Sequence, residues 1–160
     1  MLKLVGICIL LFTSILISRE LVLRRQRRLC LCEELLRFVS FLRLQIGCFL
    51  RPVPEAVSEF HSDELSACGF LPIASGTDIA VAFSSSCIPQ IVGKECTRIM
   101  DSLFSSIGKG YLDNEIKLID THHGRLFELV EGERVEAVRQ ARLIRTLTAS
   151  ASLGLIIFII

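Results

Sequence analysis

The residues best suited to acid–base or metal chemistry are two adjacent histidines, His122 and His123, which closely follow Asp120. General-base catalysis and metal binding both use histidine beside a carboxylate. On a helix, however, adjacent side chains point about 100° apart, so the two rings cannot easily share one metal ion. We therefore predict that His123 lies on the packed face of a helix and that His122 is solvated.

The carboxylates and cysteines indicate no clearer catalytic or metal site. Glu33 and Glu34 are adjacent, and four glutamates recur over residues 128–136 among arginines, as on a solvated helix face with ion pairs. The seven cysteines lack Cys-x-x-Cys or Cys-with-His spacing, which favours small buried hydrophobes in a reducing compartment over a zinc site. Without a phosphate-binding glycine loop or a nucleophile elbow, we expect no enzyme activity, cofactor or small-molecule substrate.

Both ends of the chain are apolar, and arginines lie on the inner side of each apolar stretch. Residues 4–18 and 147–160 contain no charged side chain. A membrane span needs about 20 apolar helical residues, with about 17 as the lower end. We predict spans over residues 1–18 and 144–160, with Lys3 and Arg145 reaching the interface. The flanking arginines are Arg19, Arg24, Arg25, Arg27 and Arg28 after the first span, and Arg134, Arg139, Arg142 and Arg145 around the start of the last.

The first apolar stretch also has an interpretation as a cleaved signal peptide, because Lys3 precedes it. Cleavage requires small residues at both recognition positions, and Leu16 before Ser18 fits that pattern poorly. We favour an uncleaved span, with an exported helical protein held by a C-terminal membrane anchor as the alternative. Since basic flanks are retained in the cytoplasm, residues 19–143 are expected to face the cytoplasm and both termini to lie outside.

The composition fits one folded domain between the two apolar ends. The chain has 160 residues, of which 51% are hydrophobic, and the segment between the predicted spans is large enough for one small domain. The net charge of +1 hides an arginine-rich segment over residues 19–51 and a mildly acidic one over residues 55–136. Topology signals and attraction to lipid headgroups explain the arginines. Without interleaved aromatic residues, nucleic-acid binding is not expected.

Apolar periodicity predicts an all-α fold without strands. The first helix of the domain follows the arginine cluster, ends near Pro52, and has an apolar face made of Leu31, Leu35, Phe38, Leu42, Ile46 and Phe49. Pro54 opens a second helix, which stops before His61, and Ser62 or Asp63 caps a short third one.

The remaining predicted helices are separated by glycines and prolines. Gly69, Pro72 and Gly76 are expected to break the chain before Thr77 or Asp78 caps the next helix. After a turn over residues 84–86, a helix opens at Pro89, continues through Gly93 to Phe104, and ends at Gly108 and Gly110.

The last segment has the longest periodic pattern, and we predict one helix from Asp113 into the final span, with Gly124 and Gly132 as the places where it would bend. This helix is long enough to pack against the first one. Its apolar stripe is Leu112, Ile116, Ile119, His123, Leu126, Val130, Ala137, Ala141 and Ile144.

Several segments resemble the stage III sporulation protein AB family. They are the opening residues 1–6, the stretch over residues 44–56, the turn over residues 110–113, and the long helix that enters a final apolar segment. Gln45 and Lys109 depart from the family pattern, and the central tryptophan common in the family is absent. The positions that match the family motifs are Ile46, Pro52, Val53, Ala56, Gly110 and Asp113.

The resemblance implies a structural role rather than catalysis. The family is similar to the cytoplasmic helical domain of type II secretion platform proteins, and its members belong to a complex between mother cell and forespore. It implies a helical bundle between two transmembrane helices in the mother-cell membrane around the forespore. Partners by resemblance are other membrane subunits and a secretion-type ATPase.

Overall fold

The computed structural model describes the backbone of residues 2–159. It describes no side chain for residues 1–11, 14, 17, 18, 141, 144, 145 and 147–160. Within the described part the chain forms eight helices and no strand, which confirms the all-α prediction. The helices are α1 (Leu2–Phe49), α2 (Val53–Glu59), α3 (Asp63–Ala67), α4 (Phe70–Ala74), α5 (Ile79–Ser85), α6 (Ile88–Val92), α7 (Lys94–Ser106) and α8 (Leu112–Ile159).

The first and last helices are the longest elements, with 48 residues each. Helix α1 ends ahead of Pro52, as predicted. It begins at Leu2 and continues through the arginine cluster, so the predicted start after the arginines is wrong. Helix α8 is continuous through Gly124 and Gly132. The two helices pair in an antiparallel manner: Ser40 Oγ lies 2.9 Å from His123 Nε2, and Arg43 forms an ion pair with Asp120.

The short helices begin and end where polar side chains and glycines satisfy their termini. Ser62 Oγ accepts the Leu65 N–H at 3.4 Å, and Asp78 Oδ1 accepts the Ala80 N–H at 3.0 Å, so both predicted caps are confirmed. One predicted helix is wrong, because the chain breaks at Gly93, where φ is 89°, and separates α6 from α7. The segment expected to be broken at Pro72 instead contains α4, which starts after Gly69.

Four phenylalanines from four helices form the centre of the core. The rings of Phe70 and Phe104 stack with centroids 5.8 Å apart, and Phe83 and Phe38 meet Phe104 edge-on at 5.3 and 6.2 Å. All four side chains are almost fully buried. Offset stacks and edge-to-face pairs are the favourable geometries for aromatic rings, so this cluster ties α1, α4, α5 and α7 together.

The predicted apolar faces of the long helices are buried over only part of their length. Leu31, Leu35, Phe38, Leu42 and Ile46 are buried as expected. Phe49 is 60% exposed, because α1 ends there and leaves nothing to cover it. On α8, Ile119, Leu126 and Val130 are buried, whereas Leu112 is exposed and Ile116 half-buried.

The chain divides into two compact units. The core unit comprises residues 28–132, and the terminal unit comprises residues 1–27 together with 133–160. The core unit has nine basic and fourteen acidic residues, a net charge of −5, whereas the terminal unit has nine basic and three acidic residues, a net charge of +6. The domain predicted over residues 19–143 contains all of the core unit and parts of the terminal unit.

The predicted spans, residues 1–18 and 144–160, consist mostly of positions whose side chains lie outside the described part. In the described residues, no helix has a stretch both long and apolar enough to cross a membrane.

Candidate partner-binding groove

An open groove of about 610 Å³ lies in the core unit between the start of α2, the α4–α5 connection and the segment that follows α7. Its apolar side chains include Val53, Val57 and Ile107, and one residue of each charge, Asp78 and Lys109, is present at its wall. A mostly apolar concave surface with a few polar groups suits an apolar segment of another protein better than a polyanion. The complete lining is Val53, Pro54, Val57, Ala74, Ser75, Gly76, Thr77, Asp78, Ile79, Ile107, Gly108 and Lys109.

Two prolines position the wall that α2 contributes. Pro52 is extended, with ψ of 147°, and its carbonyl oxygen accepts the N–H groups of Glu55 and Ala56, both at 3.1 Å. Pro54 lies in the first turn, where its missing N–H leaves no hydrogen bond unmade. Helix α2 therefore starts at a fixed point and buries Ala56 and Val57.

The opposite wall depends on a glycine turn. Gly108 lies in the turn between α7 and α8. Its φ is 81°, a conformation that L residues adopt only with strain. A Cβ at this position would lie 3.9 Å from Val53 Cγ2, so the turn packs closely on α2. Gly110 then donates its N–H to Glu115 Oε1 at 3.2 Å, which ties the turn to the first helical turn of α8.

One of the segments that carry the family resemblance lines this groove, and another begins directly after a lining segment. Residues 44–56 supply Val53 and Pro54, and residues 107–109 directly precede the predicted turn at Gly110. A Cβ at Gly47 would lie 3.7 Å from Ile116, so α1 also meets α8 beside these segments. Of the motif residues, Ile46 and Ala56 are buried and Val53 is half-buried, whereas Pro52, Gly110 and Asp113 are exposed.

Leu50, which follows α1, is a feature that the sequence pattern did not reveal. Its φ is 54°, and it is the single non-glycine residue with positive φ in the described part of the chain. Its side chain is 67% exposed, and its neighbour Phe49 is exposed as well. The Arg51 N–H reaches back to the Gln45 carbonyl oxygen at 3.2 Å, which closes the turn. A left-handed leucine destabilises the fold by about 1–2 kcal/mol. Because the Leu50 side chain is mostly exposed, its burial offsets little of that cost.

The predicted topology arginines do not share one environment. Arg19, Arg24, Arg25, Arg27 and Arg142 are exposed in the terminal unit, whereas the Arg145 side chain lies outside the described part. Arg28 belongs to the core unit and is half-buried. Its guanidinium carbon lies 3.0 Å from where a Cβ at Gly93 would be, so it packs on the α6–α7 break.

The assignment of the two histidines is wrong and must be reversed. His122 is buried, with 7% of its surface exposed, and Nδ1 has no hydrogen-bond partner in the described part of the chain. His123 is half-buried beside Ser40. Burial lowers the pKa of His122 by disfavouring the imidazolium, and the nearby Arg125 guanidinium lowers it further. The buried positions Ile119, His122 and Leu126 have the helical spacing expected of a packed face. The predicted stripe was therefore right at Ile119 and Leu126, but it took His123 in place of His122.

The cysteines are only partly the buried hydrophobes that the sequence predicted. Cys32 and Cys96 are fully buried, and their Sγ atoms lie 3.9 Å apart as free thiols. Cys30, Cys48 and Cys87 are exposed. Partial burial and the carboxylates of Glu64, Glu34 and Glu33 raise the pKa of Cys30, which disfavours a reactive thiolate. The side chain of Cys8 lies outside the described part.

In the described residues, no group of three or more histidine, cysteine or acidic side chains has a geometry that could hold a metal ion. His122 and His123 have different environments, and neither lines the groove. No protein-family model, curated protein or solved structure matches the chain.

Proposed function

We propose that this chain is a membrane-anchored structural subunit of a sporulation complex of the secretion type, and that its core unit binds other subunits through the groove. In this proposal residues 1–18 and 144–160 are the membrane anchors, the core unit faces the cytoplasm, and both termini lie outside. The complex connects mother cell and forespore, and the partners are further membrane subunits and a secretion-type ATPase.

The observation that carries the proposal is the convergence of the two family-like segments. They are about 60 residues apart in sequence, yet a Cβ at Gly108, just before the second segment, would lie 3.9 Å from Val53, and one at Gly47 would lie 3.7 Å from Ile116, just after it. Segments that keep a family pattern and meet at an open surface fit a shared binding role. Pro52, Gly110 and Asp113 are exposed, so these motif positions are accessible to a partner in addition to any role in shaping the turns.

The chemistry of the groove favours a protein partner. Its wall is mostly apolar, and Asp78 and Lys109 offset each other in charge. Asp78 already caps α5 by accepting the Ala80 N–H, and the Lys109 ammonium donates to the Ser105 carbonyl oxygen at 2.5 Å. Both charges thus take part in contacts within the fold. Among the apolar lining residues, Val53 and Pro54 are accessible to a partner, whereas Val57, Ile79 and Ile107 are buried.

Two substitutions in the groove test the site without disturbing the core. Thr77→Arg and Lys109→Glu change exposed residues of the lining. We expect the double variant to fold normally by circular dichroism and to lose copurification with membrane partners from sporulating cells. Ser102→Arg, on the exposed side of α7 and outside the lining, is the matched control and should retain the partners. Normal copurification of the groove variant would contradict a binding role for this surface.

Genetics and thiol labelling test the remaining parts of the proposal. Deletion of the gene in its host should block spore development, and normal spores would refute the sporulation role. An impermeant thiol reagent should fail to label the exposed Cys48 and Cys87 in intact cells and should label both after lysis. Labelling in intact cells would contradict the cytoplasmic placement and favour the exported, C-terminally anchored alternative.

A further inference from the structure

The terminal unit is strongly basic, and its charge comes almost entirely from arginine. Eight of its nine basic residues are arginines, against three glutamates. Arginine binds phosphate with two parallel hydrogen bonds and sheds water more readily than lysine does. The core unit has the opposite net charge, so the basic character belongs to this unit and not to the whole chain.

The arginines of both long helices lie close together within the terminal unit. Arg25 and Glu136 form an ion pair at 3.9 Å, which brings α1 and α8 side by side. Arg24 and Arg27 lie within two residues of Arg25, and Arg139 lies three residues beyond Glu136. At about 1.5 Å of helix per residue, arginines from both helices surround this contact within a turn or less.

Several of these arginines have their charge available for a ligand. Arg24 is paired with Glu20, and Arg25 with Glu136. Arg19, Arg27, Arg139 and Arg142 are exposed and form no ion pair within the described part of the chain. The three glutamates of this unit cannot neutralise eight arginines, so anionic groups from another molecule would find several guanidinium groups free.

Exposed apolar side chains accompany the arginines in the same unit. Phe12 is 64% exposed, and Ile15, Leu16 and Leu143 are each about half exposed. A surface with both large apolar side chains and arginines matches the boundary between acyl chains and headgroups, where the first enter the apolar layer and the second meet the phosphates. A nucleic-acid surface would use the arginines and leave these apolar side chains without a role.

We propose that the arginines of the terminal unit bind the phosphates of anionic lipid headgroups, so that attachment of this chain depends on anionic lipid. This inference rests on the membrane attachment in the proposed function and adds the lipid class to it. Most of the selectivity comes from the four arginines that form no ion pair within the described part of the chain, namely Arg19, Arg27, Arg139 and Arg142.

Vesicle flotation of the full chain tests this lipid preference. The protein is diluted from neutral detergent into vesicles of phosphatidylcholine alone or of phosphatidylcholine with phosphatidylglycerol, and its partition coefficient is measured by lipid titration. The test variant carries R19Q, R27Q, R139Q and R142Q. The control variant loses the same charge from exposed core-unit positions through K94Q, R98Q, K117Q and R125Q.

We expect the wild-type chain and the control variant to favour the anionic vesicles, and salt at about 0.5 M to weaken that preference. The test variant should bind anionic vesicles about 600-fold more weakly, since each of its four replaced arginines contributes roughly a factor of five. Helical circular dichroism of all three proteins checks that they fold alike.

Two other outcomes would overturn the inference in different ways. Equal partition of the wild-type chain into both vesicles would refute the anionic preference and leave membrane attachment intact. Failure to bind either vesicle would refute membrane attachment itself, together with the inference that rests on it. Binding of a duplex of about 20 base pairs as tightly as anionic vesicles, again lost in the test variant, would assign the arginines to nucleic acid instead.

Discussion

The core unit and the terminal unit both contain segments of α1 and α8, yet their side chains have different surroundings. In the core unit, α1 buries Leu35, Phe38 and Leu42 completely against other helices. In the terminal unit, the described apolar side chains of the same helix, such as Leu21 and Leu23, are more than half exposed. Similar helical sequences thus contribute to a core only where short helices are present to cover them.

The two units also differ in how their charges are used. In the core unit, Arg43 pairs with Asp120 and Arg51 with Glu59, and Arg28 packs on Gly93. In the terminal unit, most arginines are exposed and outnumber the glutamates. The core unit also has exposed basic residues, such as Lys94 and Lys117. The two units therefore differ most clearly in the sign of their net charge, which is positive in the terminal unit, as our lipid proposal requires.

A leucine-to-aspartate substitution in each unit should give the largest difference in the free energy of unfolding. Leu42→Asp places an unpaired carboxylate in a fully buried site and should lower the free energy of unfolding by about 4 kcal/mol or more. Leu23→Asp, at a site 52% exposed on the same helix, should change it by about 0.5 kcal/mol or less. Urea denaturation followed by circular dichroism measures both. Comparable losses would show that the terminal unit has a core of its own.

A substitution at Gly93 tests whether the contact between Arg28 and the α6–α7 break contributes to the stability of the core unit. Gly93→Ala forces an L residue to φ of 89° and places its Cβ 3.0 Å from the guanidinium. We expect a loss of about 2 kcal/mol in thermal denaturation. Gly124→Ala, inside α8 with open space around it, is the control and should raise stability by about 1 kcal/mol. An unchanged melting temperature for Gly93→Ala would show that this break is not fixed.

His122 gives the core unit a dependence on pH. Its pKa in the folded protein is below the ordinary value of 6.5, so the unfolded chain takes up the proton first as the pH falls. The stability contributed by neutral His122 is complete above that ordinary value and decreases as the pH drops through it. We expect the melting temperature to fall between pH 8 and about pH 5, and His122→Leu to flatten that profile. His123→Leu should leave the slope unchanged.

His122→Ala is now expected to cost about 1–2 kcal/mol, because it opens a cavity on the packed face of α8. The sequence alone predicted that this change would do little. An unaltered free energy of unfolding in the alanine variant would restore the solvated assignment.

Leu50 belongs to the core unit, but its apolar side chain is exposed, like several apolar side chains of the terminal unit. Leu50→Gly removes the left-handed strain and should raise stability by about 1 kcal/mol, while removing an exposed apolar group beside the groove segments. Leu44→Gly, in the α1 interior and also half exposed, should lower stability by about 1 kcal/mol. Calorimetry of both variants measures the difference. A destabilised Leu50→Gly would mean that the leucine itself holds the turn.

Much of the fold was predictable because the signals are local. Pro52 starts α2, Ser62 and Asp78 cap their helices, and Gly108 forms the turn after α7, each through the conformation or hydrogen bonding of the residue itself. The break at Gly93 was missed because a single glycine is tolerated in many helices. The backbone φ of 89° at this break is fixed by the folded chain, and it is the reason why the position must be glycine.

The candidate site was predictable only as separate segments. The residues over 44–56 and 110–113 stood out by resemblance, but nothing in their spacing placed Val53 against Gly108. The exposed, left-handed Leu50 left no signal, because leucine is an ordinary helix residue and its conformation depends on how α1 meets α2.

The sequence by itself determined the helical class, most helix ends and the separation of charge along the chain, because periodicity, caps and charge are properties of neighbouring residues. The tertiary structure decided which of two adjacent histidines is buried, which cysteines are exposed and which arginine joins the core. Those outcomes depend on contacts between residues far apart in sequence. A helical pattern identifies the buried face of a helix to within about one residue. Packing against the neighbouring helices then decides which of two adjacent side chains is buried.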